Sequence, residues 1–285
     1  MTELISWDDL AEIENKIEGN NLLLLDGNNL AYRYINRSNF DSYEDSYIET
    51  IKSLGKSYAA TRTIVCFDYG KSYYRLNLLE DYKGTRKEPE TEEEIEKYKA
   101  FFDCLNRLTD ELPFEHYKHR GIEADDLIAF FIQHLSQQYD HTWMISSDKD
   151  MYQLISDKAS IFNLFSRKEI TEDSILEDFG LSPKEFAMAR MIEGDKSDNI
   201  IGIEGIGPKR SQSLIRDYGT LDKLIEALPL KGKSKYITNL NAGKEKLIKN
   251  RKLIDLYEYL KESIECGKDG ETVWRGLIDA TTKKT

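Results

Sequence analysis

At 285 residues the chain is long enough to bury a full core, as one large or two small domains. Its 40% hydrophobic and 32% charged residues describe a soluble globular protein, and no apolar run approaches the roughly 18 residues of a membrane span. Three cysteines, Cys66, Cys104 and Cys266, lack CxxC spacing and suggest neither a disulfide scaffold nor a zinc site, and the net charge of −12 argues against a nucleic-acid partner only if it is evenly spread.

The chain opens on MTELISWDDLAEIENK, acidic where a signal peptide is basic, so a cytoplasmic protein is expected, and this stretch reads as a polar helical lead. The strand Asn21 to Leu25 follows and ends at Asp26 in LLLLDGNNLAYR. A short unbroken apolar run that stops at a glycine turn before a helix is the pattern of a parallel strand buried on both faces. A second strand, TRTIVCF, again ends at an acid, Asp68. GKS at Gly70 to Ser72 is no phosphate loop, because the earlier glycine such a loop requires is Val65. The segment around Tyr82, Lys83 and Arg86 is basic and aromatic, and the acidic run Glu88 to Glu96 fits either a solvated helix or an arch over a site. His116 and His119, in the predicted strand PFEHYKHR, have a spacing a metal could use but no acid in register, and read as surface histidines.

The chemistry concentrates in Gly121 to Asp150. Glu123, Asp125 and Asp126 occupy the opening turn of a helix, where free backbone N–H groups and the macrodipole favour acids, which accounts for one or two of them. The strand HTWMIS then ends in Asp148 and Asp150, which alternate and so point to one side of an extended chain. Clustered like charges raise one another's pKa unless a cation sits among them. This points to a metal site with hard oxygen ligands, suited to Mg²⁺ or Mn²⁺. Strands that each deliver an aspartate at the carboxyl end place that site where open α/β sheets bind ligands. The predicted fold class is therefore α/β, with a mostly parallel sheet flanked by helices.

Beyond Asp150 come the helix MYQLI, a polar stretch, and the helix SPKEFAMARMIEGDKSDNI, opened by Ser182 with Pro183 at its first position and carrying Asp195 and Asp198 as neighbours. The hairpin Gly202 to Gly207 feeds a helix beginning near Pro208. Gly202, Gly205 and Gly207 let the backbone approach a phosphate, the helix start offers N–H groups, and Lys209 and Arg210 add charge. Between Asn199 and Lys252 twelve Lys or Arg, including Lys231, Lys233 and Lys235, stand against five Asp or Glu, a candidate phosphate-binding face. The acids Asp26, Asp68, Glu123, Asp125, Asp126, Asp148, Asp150, Asp195 and Asp198 carry nine of the twelve net negative charges, so the remainder is near neutral. The tail from about Glu265 is charged and poorly patterned and is expected to be peripheral.

In their order and spacing, LLLLDGNNLAYR, the acid in VCFDYG, YKGTR, GIEADDL, SSDKDMYQL, EGDKSDNI and GIEGIGPKRSQSLI resemble the 5′-nuclease superfamily over about residues 20 to 255. That superfamily includes flap endonucleases, the exonuclease domain of bacterial DNA polymerases and, above all, stand-alone phage 5′-3′ exonucleases. The resemblance implies one nuclease domain over 1–285, with a PIN-like α/β core over 20–198 that includes a helical arch at about 82–105. It further implies a helix-three-turn-helix region over 199–255 that grips duplex DNA and often holds K⁺ at its hairpin, then a tail over 256–285. No polymerase domain follows, which fits the stand-alone type. The implied substrate is branched or 5′-flap DNA, with RNA–DNA primers also considered, in DNA replication and repair. With no heptad pattern and no membrane segment, a cytoplasmic monomer is expected, in the host cytoplasm if phage-encoded.

Carried onto this chain, the resemblance places Asp26, Asp68, Glu123, Asp125, Asp126 and Asp148 closest to the metals and Asp150, Asp195 and Asp198 in a more distant group. Lys83 and Arg86 fall where cations face the scissile phosphate, and Tyr82 where an aromatic stacks on the unpaired terminal base. Gly202, Gly205, Gly207, Lys209 and Arg210 match the duplex-binding hairpin. The Glu-rich run after Arg86 departs from the family pattern and leaves open whether the arch threads a strand.

Chemistry and resemblance jointly support phosphodiester hydrolysis assisted by two divalent metals, with Lys83 and Arg86 neutralising charge on the phosphoryl oxygens. No side chain is needed as nucleophile, in keeping with the lack of a Ser–His or Cys–His pair. Asp148 and Asp150 also form the D-x-D of an aspartate-nucleophile phosphatase, but such an enzyme needs neither the glycine hairpin nor so many further acids. A non-catalytic binding module is disfavoured because clustered carboxylates with no metal to hold would be destabilising.

Overall fold

Residues 19–282 are described in a computed structural model, so the polar helical lead expected before Asn21 lies outside the described residues. Strand β1 (Asn21–Asp26) shows why the first apolar run is unbroken. Leu22 and Leu24 pack into one helical layer and Leu23 and Leu25 into the other, all four fully buried. Each leucine so removed from water contributes about 1.5–3 kcal/mol, which holds the strand from both faces.

Among the described residues the main sheet has six strands in the order β3-β2-β1-β4-β5-β6. β1 pairs in parallel with β2 (Ala60–Phe67) and β4 (His141–Ile145), β2 with β3 (Glu115–Lys118), and β4 with β5 (Ala159–Asn163), while β6 (Lys168–Ile170) closes the edge antiparallel. The strand order reverses at β1, so the crevice beyond the carboxyl ends of β1 and β4 is the switch point at which such sheets bind ligands. The α/β class and strands β1 to β4 match the expectation; β5 and β6 fall in what reads as a polar stretch.

One face of the sheet carries α1 (Gly27–Ala31), α2 (Glu44–Ser57) and α4 (Glu92–Glu111), with Tyr43, Tyr47 and Phe101 wholly buried between them. α4 starts at a capping box formed by Thr91 and Glu94, with Glu92, Glu93 and Glu94 in its first turn, so the acidic run is a helix start that the macrodipole favours. α3 (Tyr73–Leu78) is capped by Ser72, whose Oγ accepts the Arg75 N–H at 3.3 Å, and this accounts for the serine of GKS. The other face is covered by α5 (Ala124–Leu135) and the C-terminal helices.

Those helices are α6 (Glu172–Phe179), α7 (Pro183–Glu193), α8 (Pro208–Tyr218), α9 (Leu221–Glu226), α10 (Lys235–Ala242), α11 (Lys244–Ile254), α12 (Leu260–Glu265) and α13 (Gly270–Thr282). α7 begins as expected, capped by Ser182 with Pro183 in its first turn, but it stops at Glu193. Gly194–Asp195 then pairs antiparallel with Ile200–Ile201, so Asp195 ends a short strand, Asp198 sits in the tight loop 196–199, and the two are not helical neighbours. The cause is a backbone crossing: a Cβ at Gly202 would stand 1.9 Å from the Glu193 carbonyl oxygen. The tail from about Glu265 is also corrected, because Leu277 is 1% exposed and Trp274 meets Phe130 edge-on at 5.1 Å. No helix among the described residues is long and apolar enough to cross a membrane.

Candidate active site

The carboxyl ends of β1, β2 and β4 open into a cleft of about 240 Å³ lined by Asp26, Asp68, Lys83, Arg86, Glu123, Asp125, Asp148, Asp150 and Asp198, with Asn28, Asn29, Tyr32 and Ala124. A larger cavity, about 760 Å³, lies between β3, the end of α4 and α13, where His116, His119 and Asp110 are the acid–base groups. The chemistry belongs to the smaller cleft, because seven carboxylates converge there. His119 is held below its ordinary pKa by burial, as befits a packed histidine.

Local structure sets each acid. Asp26 ends β1 and caps α1, accepting the Asn29 N–H at 3.0 Å, while the Ser146 hydroxyl donates to its other oxygen at 3.1 Å. Asp68 accepts the Ala124 N–H at 2.7 Å, which joins the end of β2 to the start of α5. Glu123 stands at the N-terminal cap of α5 and accepts from Lys83 Nζ at 2.6 Å, Tyr82 Oη at 2.9 Å and Arg75 at 3.0 Å. Asp148 accepts the Asp150 N–H at 2.8 Å, and Asp150 opens a 3₁₀ turn, Asp150–Leu154, so the two do not alternate along an extended strand as expected. They still reach one cleft, through a turn instead of a pleat. On the far side Asp150 and Asp195 share the Arg190 guanidinium, and Asp198 accepts from Tyr82 at 2.9 Å and Arg86 at 2.8 Å.

The electrostatics separate the acids into two kinds. Burial pushes Asp26 up to about 7, helped by Asp68 and Asp148, and pushes Asp150 up to about 7, helped by Asp148. Asp68, Asp125 and Asp148 are also raised, in each case by burial first. Burial would raise Glu123 as well, but Lys83 and Arg75 outweigh it and hold it low. Asp195 is likewise low, since the Ser197 hydrogen bond and Arg190 overcome its burial. Lys83 stays charged because Glu123, Asp198 and Asp68 more than offset its own desolvation.

The raised carboxylates form a hard-oxygen donor set short of positive charge, which fits a divalent cation. Among the described residues no three acidic, histidine or cysteine side chains are gathered tightly enough to hold an ion as they stand. Arg75 and Lys83 hold oxygens of Glu123, and Arg190 holds Asp150.

Three expectations need correction. Tyr82 is 1% exposed, with its hydroxyl spent on Glu123 and Asp198, so it offers no face for stacking; the ring at the cleft is Tyr32, 41% exposed and stacked on Phe101 at 5.6 Å. Asp126 is 1% exposed beneath Arg75 and does not line the cleft, nor does Asp195. Gly202 packs its backbone against Glu193 at the end of α7, which accounts for its missing side chain without a phosphate, whereas Gly205 takes the left-handed φ of +84° and Gly207 has open space at the start of α8. Sequence reasoning missed Tyr32, Arg75 and Arg190. Tyr32 lies within the LAYR run after Asp26, but single arginines in YYRLNL and AMARMI carry no pattern that marks them as buried counter-ions.

At the hairpin, Lys209 and Arg210 are exposed in the first turn of α8. Arg210 donates to the Gly205 carbonyl at 2.6 Å and lies over the Tyr236 ring at 4.8 Å. Lys235 pairs with Glu204 at 2.6 Å, while Lys231 and Lys233 are exposed in the loop before α10.

Two family models match the chain: one described as 5′-3′ exonuclease, N-terminal resolvase-like domain, over residues 21–180, and one described as 5′-3′ exonuclease, C-terminal SAM fold, over residues 181–268. The flap endonuclease of Escherichia phage T5 is 40% identical over 286 residues, covering 98% of this chain and 96% of that protein. The 5′-3′ exonuclease of Bacillus subtilis (strain 168) is 29% identical, covering 85% of this chain and 84% of that protein. A crystal structure of the phage T5 flap endonuclease, as a pseudo-enzyme–product complex with DNA and metal ions, superposes with a TM-score of 0.87 at 38% identity, covering 92% of this chain and 100% of that chain.

Proposed function

Because the chain belongs to the 5′-3′ exonuclease family, we propose that it cuts phosphodiester bonds near the junction of a 5′ single-stranded flap and duplex DNA, with the acid cleft as its active site. It is a nuclease. The observation that carries the reading of the site is the meeting of Asp26, Asp68 and Asp148 from three strand ends with the Lys83 ammonium in one cleft.

Asp26, Asp68, Glu123, Asp125, Asp148, Asp150 and Asp198 are the residues that would hold two or more Mg²⁺ or Mn²⁺ ions, their all-oxygen donors suiting these cations. When bound, such ions supply Lewis-acid stabilisation of the phosphoryl oxygens and acidify the attacking water. Lys83 and Arg86 face the same cleft and neutralise charge that builds on the scissile phosphate. Glu123 holds Lys83 until substrate arrives, and Arg75 fixes Glu123 from behind. An unpaired base stacks on Tyr32 in place of Tyr82. K⁺ at the hairpin would share the carbonyl oxygens of Glu204 and Gly205, each already accepting from Asn239 or Arg210 and each with a second lone pair. The enzyme acts as a monomer in the cytoplasm, with RNA–DNA primers as a further substrate.

The test is a 5′-labelled flap duplex with and without Mg²⁺. Cuts at the junction that require the ion are expected; metal-independent cutting, or none, would overturn the proposal. A second outcome concerns grip. Lys209→Ala with Arg210→Ala is expected to weaken binding to all duplex sequences and flatten the slope of log affinity against log salt by roughly 0.9 per lost phosphate contact. Single-turnover cleavage of pre-bound substrate should change little. An unchanged slope moves the grip to Lys231, Lys233 and Lys235, whose ion pair with Glu204 is exposed and weak.

A further inference from the structure

The turn that carries Lys83 is lashed to the loop 196–199, one residue before the strand leading into the glycine hairpin. The Lys83 N–H donates to the Asp198 carbonyl at 3.0 Å, and Arg86 donates to the Asp198 carboxylate at 2.8 Å and the Ser197 carbonyl at 3.4 Å. At the other end of the turn, the Asn199 side-chain amide donates to Asp81 twice, to its carbonyl at 2.9 Å and its carboxylate at 3.2 Å. The same Asp81 carbonyl accepts the Gly84 N–H at 2.9 Å and closes the turn. A Cβ at Gly84 would lie 2.4 Å from the Asp81 carboxylate, so that carboxylate is folded over the turn.

Both partners hold left-handed backbone, Lys83 at φ +54° and Asn199 at φ +59°. That conformation costs an ordinary side chain about 1–2 kcal/mol, and asparagine tolerates it where lysine does not. A left-handed lysine persists only when its surroundings over-determine it. Relaxation of the turn would carry the Lys83 ammonium away from the cleft, where it now sits 2.6 Å from Glu123.

We propose that Asn199 is a positioning residue for Lys83: its amide clamps Asp81 and keeps the turn Asp81–Gly84 in the conformation that delivers the lysine to the acid cleft. Asn199 does not itself line that cleft. The clamp also ties the place of the lysine to the start of the duplex-gripping hairpin. This inference rests on the role given to Lys83 above.

Asn199→Gly keeps the left-handed freedom and deletes the amide, and Asp81→Ala removes the carboxylate partner from an exposed position. Asn199→Gly is expected to lower the single-turnover rate on saturating flap substrate in Mg²⁺ by roughly ten-fold, as a displacement near 1 Å can cost up to about 10²-fold, and Asp81→Ala, which keeps the carbonyl bond at 2.9 Å, by a smaller factor. Flap affinity in Ca²⁺ should be unchanged. In a Lys83→Ala background neither substitution should slow the reaction further, because the group they position is gone. An unchanged rate, an undiminished loss in the Lys83→Ala background, or a loss confined to affinity overturns the clamp. A slow Lys83→Ala enzyme beside normal Asn199→Gly and Asp81→Ala enzymes sinks the clamp alone. A Lys83→Ala enzyme of normal rate removes the role of Lys83 and the clamp together.

Discussion

Asp68→Asn and Asp148→Asn are each expected to lower flap cleavage in Mg²⁺ on the order of 10³-fold or more, while flap binding in Ca²⁺ stays largely intact. The magnitude follows from the several kcal/mol that a hard cation contributes to the transition state, at 1.36 kcal/mol per tenfold. The shape of the site survives the change. An amide oxygen can still accept the Ala124 N–H that Asp68 now accepts at 2.7 Å, and the Asp150 N–H that Asp148 accepts at 2.8 Å. What is lost is charge, and that charge is unfavourable in the metal-free fold. A carboxylate whose folded pKa lies above its unfolded value destabilises the fold as pH climbs between the two; for Asp26, raised to about 7, the window runs from about pH 4 to 7. Asp68 and Asp148 are raised in the same direction. Removing one of them should therefore leave the metal-free melting temperature at pH 8 unchanged or higher, and shrink the gain that Mg²⁺ brings. Binding should be little affected because these acids would hold metal and contribute little attraction of their own to DNA phosphates. Near-normal turnover in either variant would remove that acid from the site.

The parts of this site that were legible in the sequence are those written by local chemistry. An unbroken LLLL stopped at a glycine before a helix has the pattern of a two-sided buried strand, and the strand found there puts Asp26 at its carboxyl end. Ser182 and Pro183 mark a helix start by capping alone. The glycine hairpin before Pro208 is similarly local. What was not legible depends on partners distant in the chain. Arg75 and Glu123 are 48 residues apart, and nothing in YYRLNL signals that its arginine will be buried against three acids. The end of α7 is set by the Gly202 backbone crossing it, so Asp195 and Asp198 read as helical when taken alone. The tail looks peripheral by charge, yet Leu277 and Ala280 supply a buried stripe that becomes visible only against α5 and Arg62. Tyr82 misleads for a related reason: an aromatic beside two cations suggests a surface platform, whereas its hydroxyl reaches the buried Glu123 and the half-buried Asp198.

Lys83→Ala is expected to lower turnover on saturating substrate by about 10²-fold or more while changing flap affinity in Ca²⁺ far less. The structure gives three reasons to place the effect in the transition state. The ammonium is inside the cleft, paired with Glu123 at 2.6 Å, so on binding it exchanges one anion for another and contributes little net attraction. It is kept charged by Glu123, Asp198 and Asp68 despite its burial, so it is ready to face growing negative charge at neutral pH. Its backbone N–H is anchored on the Asp198 carbonyl at 3.0 Å, which limits the reorganisation needed when charge develops. Loss of the lysine leaves Glu123 with Arg75 and Tyr82, so the variant should fold. Single-turnover rates with substrate above its dissociation constant separate the two possibilities. A normal rate on pre-bound flap with weakened affinity alone would make Lys83 a docking charge, and the transition-state role would then rest on Arg86 and the ions.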